Sequence, residues 1–161
     1  MPGASTISGV TVAFTGTGLK FSGDSAVTAA NGEASVTATA VGSGTLTATA
    51  SVTGLAKTTR FTLTSSKAIL TITASNATVA VGKPLPLFTY TAKGFLNGDT
   101  KAVLKGAPSE KTAAKEGSPA GTYLISITQG KLTAANYSFK FVNGVLTITP
   151  VGKTAKGTIR P

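Results

Sequence analysis

Tyr137-Ser138-Phe139-Lys140-Phe141-Val142-Asn143-Gly144-Val145-Leu146-Thr147-Ile148 decides the fold class of this 161-residue chain. Tyr137, Phe139 and Phe141 alternate with Ser138, Lys140 and Val142. Successive side chains of a strand point to opposite faces, so a period of two sets an apolar row against a polar one. Past Asn143-Gly144 the alternation resumes with Leu146 and Ile148. Asn-Gly between two alternating runs signals a hairpin, because both central positions of its tight turn take positive φ. The stretch therefore predicts two strands joined by a hairpin, with Phe139 and Phe141 facing a core.

Working outward, the same rhythm fills the chain. Val10, Val12 and Phe14 alternate with Thr11 and Ala13; Leu19 and Phe21 follow Gly16-Thr17-Gly18; Ala26-Val27-Thr28 makes a short third strand. Asn31-Gly32 gives another hairpin signal, leading into Ala34, Val36, Ala38 and Ala40. Gly42-Ser43-Gly44 turns into Leu46, Ala48, Ala50 and Val52, and a last strand carries Phe61 and Leu63. The facing rows of Ala predict a thin core of marginal stability. Leu70 and Ile72, Val79 and Val81, Phe88 and Tyr90, then Tyr123, Ile125 and Ile127 continue the pattern. Turns every ~8–12 residues are the spacing of a β-sandwich. The best helical candidate, Ser109 to Gly117, is too short to form one alone. The fold class is all-β.

Composition removes most chemistries. The chain has no His and no Cys, so it can build no Ser-His-Asp triad, no His or Cys metal site and no disulfide. The net charge of +10 comes from lysines spread singly: residues 1–66 carry +1, residues 67–149 carry +6, and Lys153, Lys156 and Arg160 add +3. Nucleic-acid binders cluster Arg with exposed aromatics, so no nucleic-acid partner is expected. Lysines on solvated faces and strand edges are the simpler reading, with acidic polysaccharide as the remaining charged partner. No apolar run approaches the ~20 residues that a membrane-spanning helix needs, and the first residues show no signal-peptide pattern.

Ser65-Ser66-Lys67 is the expected boundary, giving one module over 1–66, a second over 67–149 and a basic linker or disordered tail over 150–161. The second module resembles the MBG-type repeat of long bacterial secreted and surface proteins. The resemblance runs through Phe88-Thr89-Tyr90-Thr91, Gly94-Phe95-Leu96-Asn97-Gly98-Asp99, Leu104-Lys105-Gly106-Ala107-Pro108, Ser118-Pro119-Ala120-Gly121-Thr122-Tyr123 and Leu132-Thr133-Ala134-Ala135-Asn136-Tyr137-Ser138-Phe139 to Phe141-Val142-Asn143-Gly144-Val145-Leu146-Thr147-Ile148. The family often has Tyr-Gly near its second strand, where this chain has Val81-Gly82. Gly9-Val10-Thr11-Val12-Ala13-Phe14, Ala30-Asn31-Gly32-Glu33-Ala34 and Gly44-Thr45-Leu46-Thr47-Ala48 resemble, more weakly, the bacterial immunoglobulin-like repeats of invasin and intimin type. Such repeats open with another strand, so the first module reads as lacking it. The resemblances imply tandem immunoglobulin-like β-sandwiches, extracellular or on a bacterial cell surface, with no active site to transfer.

Chemistry-bearing candidates are few. Of five carboxylates only Glu110 and Glu116 are close in sequence, between Lys111 and Lys115, which suits solvated salt pairs. Phe95, Asn97 and Asp99 form the one possible interaction loop. Asn97-Gly98-Asp99 can be read as half a cation loop; the preferred reading is a turn in which Asp99 accepts from backbone N–H groups. No catalytic residue, metal or cofactor is expected. The expected function is a structural or adhesive spacer whose partners are neighbouring modules or copies of itself. The alternatives are a self-assembling fibre subunit completed by strand exchange and a carbohydrate-binding module.

Overall fold

The computed structural model describes residues 7–152. Most of Met1–Ser8 and of the basic tail expected over 150–161 lies outside that range. The chain divides into two compact units, Met1–Ala68 and Ile69–Pro161.

The first unit contains β1 (Thr11–Thr17), β2 (Leu19–Phe21), β3 (Ser25–Val27), β4 (Ala38–Ala40), β5 (Gly44–Val52) and β6 (Thr58–Ser65). One sheet has the order β3-β1-β5-β6, and β2 and β4 form a second, two-stranded sheet. All its pairings are antiparallel. Leu46, 3% exposed, is the one buried hydrophobic side chain among the described residues of this unit. It lies against Gly18 and Gly42: a Cβ on Gly18 would sit 2.5 Å from its side chain, and one on Gly42 would crowd the Gly18 backbone at 3.3 Å. The two Gly-containing turns thus do more than reverse the chain: they make room for the buried leucine. Of the two expected inner rows of Ala, the one over Ala34 to Ala40 does not form as a strand, for Ala38 and Ala40 are exposed and residues 33–37 belong to no strand, whereas Ala48 and Ala50 of β5 are half-buried.

The second unit contains β7 (Ala68–Ala74), β8 (Ala77–Ala80), β9 (Tyr90–Lys93), a 3-10 turn (Lys101–Val103), β10 (Ser109–Thr112), β11 (Gly121–Thr128), β12 (Tyr137–Val142) and β13 (Gly144–Thr149). Its sheets have the orders β10-β11-β13-β8 and β12-β7-β9. β8 runs parallel to β13 with Val79 opposite Ile148, so the larger sheet is mixed. The two sheets enclose Leu70, Ile72 and Ala74 of β7, Ile125 and Ile127 of β11, Leu146 and Ile148 of β13, and Tyr137 of β12, with Leu132 and Ala114 from connections. Burying each Leu or Ile contributes about 1.5–3 kcal/mol. This is a packed β-sandwich in which period-two alternation sets the facing of β7, β11 and β13, as Ile69 at 65% and Leu124 at 58% exposure mark the outer rows. Phe139 and Phe141 are only half-buried, their rings 6.1 Å apart at 45°. The core is aliphatic, and the aromatic pair flanks it rather than filling it.

Neither expected Asn-Gly hairpin forms. Asn31-Gly32 carries the chain from β3 in one sheet to β4 in the other, and Asn143-Gly144 carries it from β12 to β13 across the second sandwich. Neither asparagine has positive φ, so the tight primed turn is absent. Their side chains satisfy the backbone instead. Asn31 accepts from the Glu33 N–H at 3.1 Å, and Asn143 accepts from the Ile127 N–H at 3.1 Å. Gly144 is needed for close approach, because a Cβ there would sit 2.7 Å from the Ala74 carbonyl oxygen. Ser109–Thr112 is an edge strand, not a loop; with no apolar alternation in Ser-Glu-Lys-Thr, the sequence carries no strand signal there.

Candidate functional site

β9 ends at Gly94, whose φ of +103° and close approach to the Ile69 carbonyl oxygen exclude a side chain. The chain then enters the loop of Phe95, Asn97 and Asp99. Asn97 and Gly98 take φ of +55° and +78°, and the Asp99 N–H donates to the Leu96 carbonyl at 2.9 Å. Two successive positive φ values closed by that bond are the pattern of a type I′ turn. Of the three Asn-Gly pairs, this is the one that adopts it.

The loop is fastened to a residue 38 to 41 positions away in sequence. The Tyr137 hydroxyl receives the Leu96 N–H at 3.0 Å and donates to Asp99 Oδ2 at 2.7 Å, with the Leu96 carbonyl oxygen also within 3.3 Å. Phe95 meets the Tyr137 ring edge-on, centroids 5.9 Å apart at 73°, a favoured aromatic geometry. Next along, Lys101 Nζ donates to the Tyr90 carbonyl at 3.2 Å and lies 5.0 Å over the Tyr90 ring. Two of the three residues singled out in the sequence are therefore engaged within the fold, Phe95 on a ring and Asp99 on a hydroxyl, and Lys101 beside them is held on a carbonyl and a ring. Asn97 is the exposed remainder, beside Leu96 at 54% exposure.

Where backbone N–H donors were expected, the structure sets the Tyr137 hydroxyl, which donates to Asp99 Oδ2 and keeps its proton. The Leu96 N–H donated to the phenol oxygen favours ionisation of Tyr137, but desolvation and the adjacent Asp99 charge together outweigh it, leaving the phenol above the usual tyrosine pKa. The sequence does hold a signal for this anchor. Tyr137 stands at the head of a row otherwise filled by Phe139 and Phe141, and a buried tyrosine hydroxyl requires a partner.

Glu110 departs from the solvated salt pair expected with the flanking lysines. It lies on β10 opposite Ile127, half-buried, with Oε1 buried and unbonded, and desolvation raises its pKa. Among the described residues no three His, Cys, Asp or Glu side chains come together as metal ligands. No helix among them is long and apolar enough to cross a membrane.

Residues 70–147 match the family model of the MBG domain (YGX type). The second unit carries an MBG domain. Within it Gly82 has a φ of +76° in the turn after β8, with Val81 before it. No curated protein matches the sequence. Among solved structures, the chain is similar to a C-terminal 282-residue fragment of intimin in complex with the intimin-binding domain of the translocated intimin receptor, at 23% identity over 93% of this chain and 55% of that one, with a TM-score of 0.37. It is also similar to the D0–D1 domain of intimin, at 17% identity over 92% of this chain and 85% of that one, with a TM-score of 0.37. The chain spans about half the length of the first intimin fragment.

Proposed function

We propose that the chain is a non-enzymatic structural or adhesive piece of a bacterial secreted or cell-surface protein, working as a spacer. In this reading residues 1–66 are one immunoglobulin-like module, 67–149 the MBG module, and 150–161 a basic linker. The MBG domain supports the setting, since its resemblance is to repeats of long secreted and surface proteins. The observation that carries the spacer reading is the state of the Phe95–Asp99 loop. A small-molecule site needs several convergent polar groups open to a ligand. Here the Asp99 carboxylate and the Leu96 N–H are both taken by Tyr137, so the loop is braced rather than poised.

Amide NMR of the chain titrated with heparin and with alginate tests this. The expected result is a set of small, diffuse shifts near lysines that vanish as salt rises from about 20 to about 150 mM, the behaviour of screened surface charge. Localised, salt-resistant shifts at Phe95, Asn97 and Asp99 would overturn the spacer reading in favour of a polysaccharide-binding loop.

A further inference from the structure

Natural sheets protect their edges by keeping them short, by charging them or by bending them. The outer strands among the described residues follow that rule to different degrees, and β6, the longest of them, follows it least. β2, β3 and β4 have three residues each and β8 has four; β9 carries Lys93, β10 carries Glu110 and Lys111, and β12 carries Lys140. β6, Thr58-Thr59-Arg60-Phe61-Thr62-Leu63-Thr64-Ser65, pairs with β5 along all eight of its residues. No strand lies beyond it among the described residues. Its single charge is Arg60, and Phe61 and Leu63 on one face are 55% and 50% exposed. The same two side chains form one wall of an open groove of about 690 Å³, with Phe14, Phe21 and Val36 among its other linings.

We propose that β6 pairs with β6 of a second copy of this chain, antiparallel about a two-fold axis through Thr62, joining two four-stranded sheets into one. The occupant follows from the strand's self-complementarity. In that register Thr62 faces its own symmetry mate, Phe61 faces Leu63 of the partner copy, Arg60 faces Thr64, and Thr59 faces Ser65. Apolar meets apolar, hydroxyl meets hydroxyl, and no charge opposes its like, which are the pairings that stabilise neighbouring strands. A two-fold axis normal to the sheet keeps faces matched, so the partner's Phe61 and Leu63 extend the apolar row and the two grooves run together. Charge permits the contact as well. The long-range repulsion of a +10 chain is concentrated away from this module, since residues 1–66 carry only +1. The contact is isologous and closes at two copies. This pairing does not depend on whether the chain is a spacer or an adhesin.

The test is light scattering of the full chain from about 5 to about 500 μM, since a single strand edge is a small interface and a weak one. The expected result is a concentration-dependent rise from the 15.9 kDa monomer to twice that mass and no further. Thr62→Lys and Thr62→Glu each set like charges against each other on the axis, so each variant alone stays monomeric. An equimolar mixture of the two restores the dimer, which a variant that had merely failed to fold would not do. A parent chain that is monomeric at the highest concentration overturns the proposal, as does growth beyond two copies. A dimer that survives both substitutions, or one that mixing does not restore, overturns the β6 register.

Discussion

The Tyr137 hydroxyl donates to Asp99 Oδ2 at 2.7 Å, joining the start of β12 to a turn 38 residues earlier. That bond, with the Leu96 N–H received by the same oxygen, holds the loop after β9 against the MBG domain and spends its one carboxylate. Tyr137 is only 4% exposed, and its hydroxyl finds its partners in the loop, so sandwich and loop satisfy each other.

Removing that hydroxyl should therefore loosen the loop and weaken the fold together. Tyr137→Phe leaves the Leu96 N–H and the Asp99 carboxylate without their partner, and an orphaned polar group costs more than the bond it made. The expected outcome is a lower denaturant midpoint and faster amide exchange at Leu96. Tyr90→Phe is the control, for it keeps the ring under Lys101 and removes a hydroxyl with no hydrogen bond among the described residues, and it should leave both unchanged. Equal midpoints for the two variants would show that the Tyr137 bonds carry no stability.

The two shifted groups give the stability a pH dependence of stated sign. Tyr137 has its folded pKa raised, so its contribution is fully present below the unfolded value of about 10 and is lost as pH rises through the folded one. Alkaline unfolding should be steeper in the parent than in Tyr137→Phe. Glu110 is also raised, so its favourable contribution belongs to acid and is lost as pH rises through its folded pKa. Glu110→Gln should then be more stable than the parent at pH 7 and show a flatter profile from about pH 4 upward. Melting curves across pH check both, and a Glu110→Gln variant less stable at pH 7 would mean that the ionised carboxylate has a stabilising partner.

The position of the core ranks the hydrophobic substitutions. Leu146→Ala or Ile72→Ala empties a fully buried site and should cost roughly 2–5 kcal/mol. Phe139→Ala removes a larger ring from a half-buried place and should cost less than either. Urea midpoints give the order. A Phe139→Ala loss exceeding that of Ile72→Ala would place the aromatic pair inside the sandwich after all.

Alternation was legible wherever a strand has one wet and one dry face. Leu70 and Ile72, Ile125 and Ile127, and Leu146 and Ile148 all face inward as their spacing predicts. What alternation cannot give is the partner of a strand. Asn31-Gly32, Asn97-Gly98 and Asn143-Gly144 are the same dipeptide, yet only Asn97 takes positive φ while the other two asparagines bond to the backbone at sheet crossings. Long-range packing makes that choice, and no local signal records it. The loop was visible because Phe95, Asn97 and Asp99 are unusual together. Tyr137 at the head of an aromatic row signals that its hydroxyl needs a partner, but not which one, because the sequence carries no register between residues 41 apart. β10 escaped for a different reason: an edge strand paired on one side needs no apolar row.

Gly144 makes the sheet crossing testable. Its Cβ in a Gly144→Ala variant would lie 2.7 Å from the Ala74 carbonyl oxygen and 3.0 Å from that of Ser75, both backbone atoms that cannot swing aside. The strain should cost about 1–3 kcal/mol. Gly98→Ala is an instructive comparison. It meets nothing within 4 Å and carries only the penalty of positive φ, so it should cost less. Thermal midpoints of the two variants decide it; a harmless Gly144→Ala would mean that β7 and β13 approach less closely than described.

The last expectation concerns the order in which the two units unfold. Among the described residues the first unit buries Leu46 alone, whereas the second buries ten hydrophobic side chains, Leu70, Ile72, Ile125, Leu132 and Leu146 almost completely. Burial is the dominant favourable term in folding, and the entropy to be overcome grows with chain length rather than with burial. Two units of comparable length with such different cores should not share one midpoint. Calorimetry of the full chain is expected to show two transitions, the lower belonging to the first unit. Leu46→Ala should lower that transition and leave the other in place, while Leu146→Ala does the reverse. If β6 pairs with a second copy, the lower transition should also rise with protein concentration, by mass action on the folded dimer. A single transition that both substitutions lower together would show that the chain unfolds as one cooperative unit.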